Sequence, residues 1–159
     1  MISFLPCRDS AERALLTLVT LLMLAFPSHA GAVLGSDDTS VSSDQVHLKS
    51  TLSVTQTGQG AIHELRLGSG TIVREYAAPN GMVFAVAWEG PWLPDLRHLL
   101  GAYFDQYANA TRMKPRTRGP LVIREPELIV EISGHMRAFV GRAYLPQMIP
   151  AGLRTETIR

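Results

Sequence analysis

The chain has 159 residues, 46% hydrophobic and 18% charged, with 15 basic and 14 acidic side chains. That length suits one domain, and so even a balance gives no ground for nucleic-acid binding. Its one cysteine, Cys7, excludes an intrachain disulfide, a cysteine zinc cluster and haem attachment through C-x-x-C-H.

Residues 14–26, "ALLTLVTLLMLAF", are apolar or nearly so and carry no charge. A transmembrane helix needs about 20 such residues, so the run is too short to span a bilayer. Arg8 and Arg13 precede it, partly offset by Asp9 and Glu12, and "PSHAGA" supplies small residues after Pro27. This is the plan of a secretory signal peptide over residues 1–32, cleaved near Ala30 or Ala32. A buried domain helix is the rival reading; the run's lack of any polar face speaks against it. Cys7 precedes the apolar run, where it cannot serve as a lipoprotein cysteine, so the mature chain from about Val33 is expected to fold on burial alone. Its roughly 127 residues are enough for that.

Residues 33–45 are expected to form a flexible polar segment. A short helix is expected over about 40–49, with Val41, Gln45 and Leu48 at helical spacing and Thr39 or Ser40 as N-cap. Strands follow. "TLSVTQT" alternates apolar and polar residues, "GQG" turns it, and "AIHELRL" sets His63, Leu65 and Leu67 on one face. "GSG" leads into "TIVREYA". "PNG" at 79–81 marks a hairpin, with Asn-Gly tolerating the positive φ of a primed turn. In "MVFAVAW" a large face (Met82, Phe84, Val86, Trp88) opposes a small one (Val83, Ala85, Ala87). The strand should be covered on both sides, with the small face letting a helix lie close.

That helix is expected over about 94–109, where Leu96, Leu99, Leu100, Tyr103, Phe104 and Tyr107 make one apolar stripe, with Asp95 in its first turn. "LVIRE", "ELIVEIS" and "MRAFVGRAYL" read as three more strands, and residues 149–159 as a tail. The expected fold is one α+β domain over 46–148: an antiparallel sheet of about six or seven strands, the long helix on one face, and the short N-terminal helix.

Motif chemistry is sparse. The histidines from residue 33 on (His47, His63, His98, His135) show no metal-ligand spacing, and neither a Walker motif nor a nucleophile elbow is present. No catalytic residue, metal or cofactor is assigned. Eleven of the 13 basic residues from Val33 on are arginine, which is read as a habit of composition. Arg112, Lys114, Arg116 and Arg118 crowd the loop after the helix. They are read as solvated, with an anionic envelope component or another envelope protein as the alternative partner. Strand alternation places Arg142 among apolar neighbours. It must find carbonyls or a carboxylate (Glu75, Glu89 or Glu131), unless it binds an anion beside His135, Arg137 and Tyr144. Trp88 and Trp92, flanked by Pro91 and Pro94, are read as plugging the end of the core, with the lining of a sugar- or peptide-binding groove as the alternative.

"GTIVREYAAPNGMVFAVAWEGPWLPDLRHLLGAYF" and "GHMRAFVGRAYLPQMIPAG" resemble a family of small exported proteobacterial proteins known only as a domain of unknown function. The likeness covers nearly the whole mature chain. It implies export into a Gram-negative envelope, periplasmic or secreted, and supplies no activity or site. The residues then favour a non-catalytic binding protein. The rivals are a small hydrolase-like enzyme near His135, Arg142 and Tyr144, and a carrier with a pocket beside Trp88 and Trp92. A cleft uniting those side chains with Glu75 or Glu89 would favour the enzyme, and dispersal would count against it.

Overall fold

The computed structural model describes residues 33–37, 50–115 and 119–159; the helix expected over 40–49 lies outside them. Seven strands form one antiparallel sheet: β1 (Ser50–Thr57), β2 (Gly60–Leu67), β3 (Ile72–Ala77), β4 (Val83–Gly90), β5 (Leu121–Arg124), β6 (Ile129–His135) and β7 (Ala138–Tyr144). Their spatial order is β1-β2-β3-β4-β7-β6-β5. Short turns fold β1 to β4 into a meander. A helical segment then carries the chain to the far edge, and a second meander returns so that β7 pairs with β4.

The helical segment comprises α1 (Leu96–Leu100), a 3-10 turn (Gly101–Tyr103) and α2 (Phe104–Met113). The expected stripe holds. Leu99 and Leu100 are fully buried, and Leu96, Tyr103, Phe104 and Tyr107 pack around the same core. Asp95 lies just before the first turn, as the N-cap. Its carboxylate accepts from the backbone N–H groups of Arg97 (3.0 Å) and His98 (3.2 Å), which the first helical turn would otherwise leave unsatisfied.

The hairpin at 79–81 also differs from expectation. Gly81 N–H donates to Ala78 O and Ala78 N–H to Met82 O, both at 2.9 Å. Gly81 has φ +82°, but Asn80 keeps a negative φ, so this is not a primed turn.

The assignment of faces on β4 needs correcting. Ala77 pairs with Val83 and Tyr76 with Ala85, so Phe84 is one residue too many for β3, a bulge. One extra residue reverses the alternation upstream of it. Val83, Val86 and Trp88 therefore face the helix, while Phe84, Ala85 and Ala87 face the other way. The helix lies on the large side chains and not on the alanines.

Two terminal segments complete the packing. Val33 and Leu34, expected in a flexible stretch, are buried against the helix side of the sheet. Leu34 N–H donates to Leu99 O (3.1 Å), and Gly35 N–H to Val83 O (2.8 Å). Residues 146–159, expected mostly as a tail, lie across the opposite face. There Ile158 is fully buried with Tyr76, Phe84, Ala85, Ala87 and Tyr144.

Candidate functional site

The face away from the helix carries a belt of charge, built by register. Pairing of Glu64 with Arg74 across β2–β3 and of Glu131 with Arg142 across β6–β7 sets each arginine beside a carboxylate. Between the two clusters lies the alanine row of β4, on which the C-terminal segment rests.

Arg74 has all three nitrogens engaged. Nε donates to Glu64 (2.9 Å), Nη2 to Glu89 (2.8 Å) and Nη1 to the backbone oxygen of Arg159 (3.2 Å). Partial burial pulls its pKa down, but hydrogen bonds to Glu89 and Glu64 outweigh that and hold it above the ordinary arginine value. The Tyr76 hydroxyl donates to Arg159 O (2.8 Å) and accepts from Arg159 N–H (3.1 Å). Across the alanine row, Arg142 donates to Glu131 through Nε (2.9 Å) and Nη2 (2.7 Å). Its Nη1 reaches the carbonyls of Thr155 (2.7 Å) and Ile158 (3.3 Å). The two arginines clamp the C-terminal segment from both sides. Of the three carboxylates open to Arg142 from sequence, Glu131 is its partner.

Beside the clamp lies an open groove of about 530 Å³, walled by Ser53, Thr55, Ile62, Glu64, Arg74 and Glu89 among others. Carboxylates, a guanidinium and hydroxyls on one concave surface can make many directional hydrogen bonds to a polar ligand. A smaller recess of about 350 Å³, lined in part by Val122, Ser133, Val140 and Ile158, flanks the other side.

The residues singled out from sequence do not meet in one cleft. Arg142 and Tyr144 do lie together, the guanidinium 5.9 Å from the ring centre. Glu75 is fully buried on the opposite, helix-covered side, directly across from His63 on β2. His135 ends β6, and Arg137 sits with Met136 in the exposed β6–β7 turn at φ +66°, not on a strand. The turn lies four residue pairs from Arg142, roughly 13 Å along the strand. Trp88 is core, but Trp92 is 58% exposed and plugs nothing. Arg112 donates to Asn109 and Lys114 to the Val122 carbonyl, while Arg116 and Arg118 lie outside the described residues. No group of three or more metal-ligating side chains forms among the described residues, and no helix there is long and apolar enough to cross a membrane.

The Trp92 loop is nevertheless built to hold its shape. The buried Thr71 hydroxyl donates to Trp92 O (2.8 Å) and accepts from Trp92 N–H (3.3 Å), so the loop presents Trp92 and Leu93 to solvent from a fixed backbone. Thr71→Val keeps the shape but removes both bonds. It should cost about 1–3 kcal/mol and move the Trp92 fluorescence. Unchanged fluorescence and melting would mean the loop is held elsewhere.

Sequence reading missed the clamp residues Glu64 and Arg74 and the hydroxyl of Thr71. The first two were within reach: a short turn at 68–71 forces Glu64 opposite Arg74. Thr71 has no local signature, because its partner is 21 residues away.

A family model described as "Protein of unknown function (DUF2844)" matches residues 30–158. No curated protein and no solved structure matches the chain.

Proposed function

The chain belongs to the family of proteins of unknown function described as DUF2844, and we propose that it is an exported protein of a Gram-negative envelope that binds a polar ligand without transforming it. Export is supported by the charge-free apolar run at 14–26, and by a family match that begins at residue 30, where such a leader would end. The observation that carries non-catalytic binding is the state of the ionisable groups around the groove. Glu64, Glu89 and Arg74 spend their charge on one another, and Arg74 also holds the C-terminal segment. A general acid or base must be free to exchange a proton with its substrate, and a carboxylate held by an arginine is poorly placed for that. Such a carboxylate keeps lone pairs for a ligand's hydroxyls. The dispersal of His135, Arg137 and Arg142 supports the same reading.

The test is a native mass spectrum of the chain purified from its host's periplasm. A chain beginning near Gly31 or Val33 with bound mass is expected. That mass should be lost in Ser53→Trp, which fills the groove, while the melting temperature stays unchanged. An unprocessed chain found in the cytoplasm would sink export. Retention of the adduct by Ser53→Trp would sink the groove.

A further inference from the structure

The two outer edges of the sheet are built on opposite rules. β5 is four residues long, starts directly after Pro120 and carries Arg124, whose side chain is 70% exposed. Pro126 follows two residues later. Short length, charge and flanking proline are the devices by which sheets stop their edges from recruiting other strands. β1 has none of them. It is eight residues long, "STLSVTQT", without a charge or a proline, and pairs with β2 through all eight positions without a bulge. Ser53 to Thr57 are exposed in an unbroken run, and Val54 is 49% exposed. No described strand pairs with the outer side of β1. Backbone N–H and C=O groups along that edge are spaced to suit an added strand.

We propose that β1 is a pairing edge, and that its occupant is β1 of a second copy, running antiparallel across a two-fold axis to join two sheets into one. Most positions of the strand suit their counterparts in one register, Leu52 opposite Gln56 being the mismatch. With the axis at Val54, the valines of the two copies meet on the helix side of the sheet. Ser53 meets Thr55 of the second copy on the other side, and Thr51 meets its Thr57. Facing hydroxyl residues and β-branched pairs are favourable cross-strand neighbours. The lack of charge means that no like charges face each other, a condition any self-pairing edge must meet. A two-fold dimer is also the commonest closed assembly. The proposal shares Ser53 and Thr55 with the groove, so loss of bound mass in Ser53→Trp reports on the groove when the oligomeric state of that variant is unchanged.

Three measurements on the periplasmic chain test it. Light scattering over a concentration series should show a dimer. Val54→Cys should give a disulfide-linked dimer under mild oxidation, whereas Trp92→Cys, at a somewhat more exposed position, should not. Val54→Lys brings two ammonium groups together at the axis and should weaken association about tenfold or more, with unchanged circular dichroism. A monomer at every concentration would overturn the proposal, including one whose β1 amides resist hydrogen exchange because another part of the same chain covers them. So would a dimer that Val54→Lys leaves intact and Val54→Cys fails to link.

Discussion

Trp88→Ala is expected to be among the most damaging single substitutions in the domain, costing about 3–5 kcal/mol. The indole is 1% exposed and belongs to the core under the helix. It also explains a glycine on another strand. Gly141 of β7 is its direct partner across β4–β7, and the indole lies over that backbone. A Cβ at position 141 would fall 2.4 Å from Cζ2 and 2.5 Å from Cε2 of the ring, closer than real atoms approach. Gly141→Ala should therefore cost about 1–3 kcal/mol by overpacking in the wild type and much less in Trp88→Ala, where the space is empty. Urea denaturation of the two single variants and the double variant measures that coupling. Strict additivity would show that the ring does not occupy the glycine's space.

Ile158→Ala should cost about 2–5 kcal/mol, a large effect for the residue immediately before Arg159. Ile158 is fully buried on the alanine row, and the strap it belongs to covers the face opposite the helix. Arg142 holds the same strap through two backbone carbonyls. Both changes release one segment, so the effects of Ile158→Ala and Arg142→Ala should sum to more than the double variant shows. A loss below roughly 0.5 kcal/mol for Ile158→Ala, the range of ordinary surface changes, would mean that the strap is dispensable and the alanine row is covered some other way.

Much of the fold was legible in the chain because it rests on local patterns. Two-residue alternation bounded by glycine turns gave β1 to β3, and the three-four spacing of Leu96 to Tyr107 gave the helix. Packing was the right reading for Trp88, Val86 and Leu99, all of which are core. It was the wrong one for Trp92, which is exposed, since an aromatic in a loop carries no signal that tells plug from projection. The face of β4 chosen for the helix was also wrong. Alternation at Ala85 to Trp88 is as expected and does not say which side the helix takes, while a bulge at Phe84, which leaves no mark in the sequence, exchanges the sides of Val83 and Phe84.

The candidate site was less legible. Arg142 was recognised as an arginine needing a partner, and three carboxylates were open to it. Glu75 was removed by the sheet itself, whose alternation puts that side chain on the far face, and Glu89 went to Arg74. Glu131 remained because the two-residue turn at Met136 and Arg137 sets it directly opposite Arg142.

The sequence by itself determined which segments are strands, where the helix runs and which of its faces is buried. Those features depend on neighbours a few residues apart, whose periodicity is written in the order of the side chains. Only the tertiary structure decided that β7 pairs with β4, that the helix covers the large side chains of β4, and that residues 146–159 close the other face. Those choices join positions tens of residues apart, up to 85 between Arg74 and Arg159. They follow from volume, as where an indole meets a glycine, and from the need of each half-buried arginine for a carboxylate and a carbonyl.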